Sequence, residues 1–146
     1  MMLSKFFSLS ELTVTSTGLD NSPTTEHMEH LKKLAAFLDK IRAECGNMPI
    51  TVTSAYRSEE VNHAVGGVAN SDHPLGYAGD LKHSVLTPLQ FAHKIAFGSL
   101  KGKFDQVILE TSRGVVHVSV NPRMRGQVLT QPKGPGTPFL LGLPSL

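Results

Sequence analysis

The chain has a single cysteine, no tryptophan and little charge imbalance, with fourteen Lys and Arg against twelve Asp and Glu. A lone Cys45 excludes an internal disulfide and a cysteine-built zinc knuckle, so any bound metal has to be held by histidines and carboxylates. The formal charge of +2 and the lack of a basic run with interleaved aromatics exclude a nucleic-acid signature, and no nucleic-acid partner is expected. No apolar run approaches membrane-spanning length, and "MMLSKFFSLSELTVT" has no apolar core of signal-peptide length. The expectation is a protein made and held in the cytoplasm, acting outside it only after release.

What is present fits one domain: 146 residues, 40% of them apolar, are enough for one ordinary core. "SPTTEHMEHLKKLAAFLDKIRAECGN" reads as the main helix, with Ser/Thr/Pro and Glu26 at its start and Gly46 and Asn47 at its stop. Met28, Leu31, Leu34, Ala35, Leu38, Ile41 and Cys45 recur at helical spacing as its buried face, leaving Lys32, Lys33, Asp39 and Lys40 to solvent. "PITVTSAYRS" reads as a strand that delivers Tyr56 and Arg57 to its end, and "SEEVNHAV" as one or two helical turns. Residues 66–79 are a loop by composition, and "TPLQFAHKIAFGS" is a second helix with Thr87 as N-cap and Pro88 first. "FDQVILE" and "VVHVSV" form a hairpin over the four-residue turn "TSRG". The domain is expected to span 1–121, and 122–146 to be a Pro/Gly-rich extended arm.

Period-two geometry places Val115, His117 and Ser119 on one face of the second hairpin strand, with Val116, Val118 and Val120 on the other. The turn length sets Glu110 opposite Val115, diagonal to His117 and within side-chain reach of it. "SDHPLGYAGD" adds His73 and Asp80, so that two histidines and an aspartate with a glutamate nearby become available. That inventory suits catalytic zinc, which takes three N/O protein ligands, an open position and a carboxylate to accept a proton. Read alone, Asp80 is equally a loop-end acid accepting backbone N–H bonds, and His117 a satisfied sheet histidine. Asp72, beside His73, is a second carboxylate candidate, while Ser71 reads as a turn former or a substrate contact. His27 and His30 share a helix face in the exposed first turn; His63, His83 and His93 have no partner that spacing identifies.

The order of these pieces carries more than their spacing. "VTSAYRSEEVNHAVGGVANSDHPLGYAGD", followed by "FDQVILE" and "VVHVSV", closely resembles the M15 family of zinc peptidases that act on peptidoglycan stem peptides. The likeness runs from about Phe7 to about Val120. It implies an α+β fold like that of D-Ala-D-Ala peptidases and the hedgehog domain, an antiparallel sheet with helices packed on one side. It implies Zn2+ held by His73, Asp80 and His117, Glu110 as catalytic base, and Arg57 with Tyr56 and Ser71 on the substrate. It further implies a phage-type lysin or a virion-carried peptidase acting on peptidoglycan stem peptides. The other reading is a non-catalytic zinc-binding structural protein on the same fold, with the apolar "PFLLGL" tail packing on the domain or contacting a virion protein. Two positions depart from the family pattern: Val115 stands where an aromatic is usual, and the turn after Glu110 is one residue longer.

Overall fold

A computed structural model describes residues 1–146. Ser8 and Glu11 satisfy each other's backbone N–H groups in a capping box over the single turn Leu9–Leu12 (α1), a helix start that the S-x-x-E spacing of "SLSE" encodes. The main helix is Thr25–Glu44 (α2), begun where the Thr24 side chain accepts the His27 N–H. Its buried face contains the expected leucines and Ile41, and Phe37 as well. Asp39, expected in solvent, is half-buried: it accepts the Ser4 hydroxyl at 2.9 Å and the backbone N–H groups of Lys5 and Phe6. It thereby ties the N-terminal segment down onto α2.

Ile50–Ser54 (β1) leads to Glu59–Ala64 (α3), capped by Ser58, and Ala78–His83 (β2) follows. The second long helix, Pro88–Phe97 (α4), has the expected Thr87 N-cap, completed as a capping box by Gln90. Gln106–Glu110 (β3) and Val115–Ser119 (β4) pair as the expected hairpin, with Glu110 opposite Val115. The segment from Pro122, expected as an extended arm, instead supplies Gln127–Gln131 (β5), parallel to β3, and Leu140–Leu141 (β6), antiparallel to β5. The sheet order is β1-β2-β4-β3-β5-β6, antiparallel at every pairing but β3–β5. The fold is thus the expected α+β one, extended beyond β3 by a parallel strand, β5, and an antiparallel edge strand, β6.

The reason the tail joins the sheet lies at Asp105. This fully buried carboxylate accepts the Arg125 backbone N–H and side chain and the Arg123 guanidinium, all within 3.1 Å. The turn after β4 is therefore clamped beside β3, and the alternating "QVLTQ" continues as a strand there.

Leu31, Leu34, Leu38 and Ile41 of α2 and Phe91 and Ile95 of α4 form one core with Val52, Leu81, Val107, Leu109, Val116 and Val118 of the sheet. Burial of each large side chain contributes roughly 1.5–3 kcal/mol. Because side chains alternate along a strand, covering those positions turns Asp80, Ile108, Glu110, His117 and Ser119 to the opposite face.

Candidate metal centre and cleft

His73 opens a 3-10 turn, His73–Leu75, in which Pro74 sets the start and Gly76 ends the turn at a φ of 84°. A Cβ on Gly76 would lie 2.9 Å from the His27 carbonyl oxygen, so glycine is required there for both space and conformation. Gly79, by contrast, lies within β2 with room for a methyl, and the bend belongs to Pro74–Gly76 alone. Asp80 is likewise no loop-end residue. It is central in β2 and directly abreast of His117 across the β2–β4 pairing, which makes a shared site of two residues far apart in sequence.

The three side chains converge. Asp80 Oδ1 lies 3.0 Å from His117 Nδ1 and 3.3 Å from His73 Nε2, and the three ligand atoms all fall within 4.8 Å of one another. His73 Nδ1 lies 2.6 Å from the Ala55 carbonyl oxygen, which only accepts, so Nδ1 carries the proton and Nε2 presents its lone pair. Burial lowers the His73 pKa against the opposing pull of Asp80, favouring the neutral ring that a metal requires. Two acceptors, Nε2 and Oδ1, then face each other across a gap that a cation fills favourably. The donor set, two imidazoles and a carboxylate, fits zinc. Burial disfavours charge on Asp80, yet His73 and His117 outweigh it and hold the carboxyl well below its usual range.

Arg57 is buried beneath the same carboxylate. Its Nη2 donates to Asp80 Oδ2 at 3.1 Å, Nη1 to Asn62 Oδ1 at 3.1 Å and Nε to Ser54 Oγ at 2.9 Å, leaving two of its N–H groups free. A Cβ on Gly67 would run into Asn62 Oδ1 and touch the Arg57 guanidinium, so the glycine turn after α3 is part of this support. Glu110, on the site face as expected, accepts Arg113 Nη1 at 3.1 Å through Oε1, whereas its buried Oε2 has no hydrogen-bond partner. Burial first, and then the neighbouring Asp80 charge, raise the Glu110 pKa against His117 and Arg113. A carboxylate with one unengaged oxygen and a raised pKa is suited to taking up a proton.

Two other expectations resolve differently. Asp72 is occupied: Ser119 Oγ, Asn121 Nδ2 and Arg123 Nη2 all donate to it, so it braces the sheet end. Tyr56 is buried in the core beside His27 and lines no part of the cleft, so its placement gives the expected substrate contact no support. Ser71 does line the cleft, and its hydroxyl accepts the His73 N–H at 3.1 Å. His30 stacks on Tyr77, while His83 and His93 bond the carbonyls of Cys45 and Pro144.

Above the three ligands opens a cleft of about 370 Å³. Arg57, Ser71, His73, Glu110 and His117 line it, together with residues the sequence did not nominate: Arg113, Arg123 and Arg125, and Gln131, Pro135, Gly136, Thr137 and Phe139 from the C-terminal segment. Val115 is buried and is not part of the lining. The alternation in "QVLTQ" was the one local signal for the last group.

A buried carboxylate between two histidines, with an unengaged glutamate oxygen beside them in an open cleft, is a donor set that could hold a metal ion with a proton acceptor at its side. The chain belongs to the peptidase M15 family, whose model, described as Peptidase M15, matches residues 5–119. Membership places it among the zinc-dependent metallopeptidases and implies a peptide substrate. No curated protein matches the chain. No helix is long and apolar enough to cross a membrane.

Proposed function

We propose that the protein hydrolyses an amide bond in peptidoglycan stem peptides, as a DD-carboxypeptidase or endopeptidase of the lysin type. The observation that carries the reading is the unpartnered Glu110 Oε2 beside the His73–Asp80–His117 cluster. His73 Nε2, an Asp80 oxygen and His117 Nδ1 would hold the zinc. When bound, zinc supplies a Lewis acid that polarises the scissile carbonyl and eases deprotonation of water.

The chain's own residues do the rest. Glu110 Oε2 accepts a proton from the attacking water and delivers it to the leaving amide nitrogen, so that the amine departs neutral. Arg57, positioned by Ser54, Asn62 and Asp80, directs its free N–H groups at the substrate carbonyl oxygen, where negative charge develops. Ser71 accepts the backbone N–H of His73, steadying the turn that carries it, and lines the cleft, within which its hydroxyl can meet the substrate. The resemblance of "SDHPLGYAGD" and "VVHVSV" to peptidases of stem peptides supports the substrate, and release through the host membrane or carriage in a virion would bring the protein to it.

The test pairs zinc content of the purified protein with mass spectrometry of digested muropeptides. One zinc per chain and a defined cleaved bond are expected. Stoichiometric zinc with muropeptides left intact would overturn the reading in favour of a non-catalytic zinc protein.

A further inference from the structure

We infer that the C-terminal segment 132–139 is a wall of the substrate cleft and that the Phe139 ring receives an apolar side chain flanking the scissile amide; this rests on the peptidase reading above. Three observations lead there. The parallel β3–β5 register sets Gln131 abreast of Glu110, so the chain leaves the sheet for the strap at the level of the reacting groups. The strap is then held in shape: Gln131 Nε2 donates to the Thr137 carbonyl at 3.0 Å, and the Thr137 hydroxyl donates to the Gly134 carbonyl at 2.6 Å. Finally Phe139 lines the same cleft as His73, Glu110 and His117, yet is 50% exposed.

An aromatic left half-exposed on the wall of a polar cleft has apolar surface to cover, and a substrate side chain covers it. The sheet order sharpens the geometry. β2, β4 and β3, which carry Asp80, His117 and Glu110, lie between β1 on one side and β5 on the other. The chain after β1 contributes Val65 and Val68 to the cleft lining, and the chain after β5 contributes Phe139. A peptide laid across the floor thus meets apolar surface on both sides of the metal centre. Phe139 lies beyond the 5–119 family match, so this wall is a property of this chain's own C-terminal segment.

The experiment uses the full zinc-loaded chain and two peptides, a stem pentapeptide ending D-Ala-D-Ala and the same peptide with glycine on both sides of the cleaved bond. Phe139→Ala is expected to raise KM for the alanine peptide about fivefold with kcat kept within about twofold, to leave KM for the glycine peptide unchanged, and to be partly rescued by Phe139→Leu. Leu141→Ala, at a side chain 94% exposed and outside the cleft, should change neither. Because the chain has no tryptophan, Phe139→Trp adds a single reporter on the wall, whose emission should shift saturably as pentapeptide is added. An unchanged KM in Phe139→Ala, or equal rises for both peptides, overturns the inference. If the wild-type protein cuts neither peptide, the DD-carboxypeptidase form of that reading fails while muropeptide digestion still decides the endopeptidase form, and the Phe139→Trp titration then decides the inference: a saturable shift keeps the strap as a peptide-binding wall, and a flat titration removes it.

Discussion

Two carboxylates in this molecule, Asp80 and Asp105, are both completely buried, and they could hardly be surrounded more differently. Asp105 is saturated: backbone and side chain of Arg125 and the guanidinium of Arg123 hold both of its oxygens, and those donors are there to keep a turn in place. Asp80 is hemmed by two histidines and two arginines, and next to it Glu110 keeps an oxygen that nothing satisfies. A buried acid by itself therefore indicates little. The discriminating feature is whether the groups around it are satisfied by one another or leave a buried acceptor without a partner beside a set of metal-ligating atoms.

That contrast can be broken most severely at the ligands. Asp80→Ala and His73→Ala should each reduce zinc from one per chain to none and peptide cleavage to background, measured by elemental analysis and product mass spectrometry; retained stoichiometric zinc would remove these residues from the site. Glu110→Gln comes next. It should keep the zinc and lower kcat by roughly 10²- to 10⁴-fold, the range expected for loss of a general base, and an unaltered kcat would leave Oε2 without a role.

Asp105→Asn should leave zinc content intact while lowering stability by about 2 kcal/mol at neutral pH, since hydrogen bonds to a charged group are lost. Its pH dependence has a definite sign. Burial alone would raise the Asp105 pKa, but the Arg125 hydrogen bonds and the two arginine charges outweigh burial and lower it below 3.8. The ionised form thus stabilises the fold above about pH 4, and that contribution is lost as pH falls through the lowered folded value. Urea unfolding should show wild type and Asp105→Asn well separated at pH 7 and converging in acid; a constant gap would mean that the carboxylate charge is not what holds the turn. The smallest effect is expected for Tyr56→Phe, whose ring faces the core: kcat/KM should stay within about twofold, and a larger fall would return Tyr56 to the substrate.

Much of this was legible locally. The boundaries of α2 and α4 follow from Thr24, Thr87 and Pro88 and from leucines at helical spacing, because capping and amphipathicity act within a few residues. The β3–β4 hairpin follows from alternation and a four-residue turn, which is why Glu110 and His117 were placed on one face correctly. The anchoring of the N-terminal segment by Asp39 and the pairing of β5 with β3 were not legible, since both depend on partners more than a dozen residues away.

The sequence by itself determined the chemistry available: two histidines, an aspartate and a glutamate in a recognisable order, on elements whose starts and stops are written in turn residues and caps. Only the tertiary structure decided what those residues share. Cross-strand register put Asp80 abreast of His117, the Ala55 carbonyl chose the His73 tautomer, Arg113 engaged one oxygen of Glu110 while the other stayed unpartnered, and Asp105 drew the tail into the sheet so that Phe139 reached the cleft. Spacing along a chain encodes a residue's face and its element, whereas the satisfaction of a buried polar atom depends on every segment that packs around it.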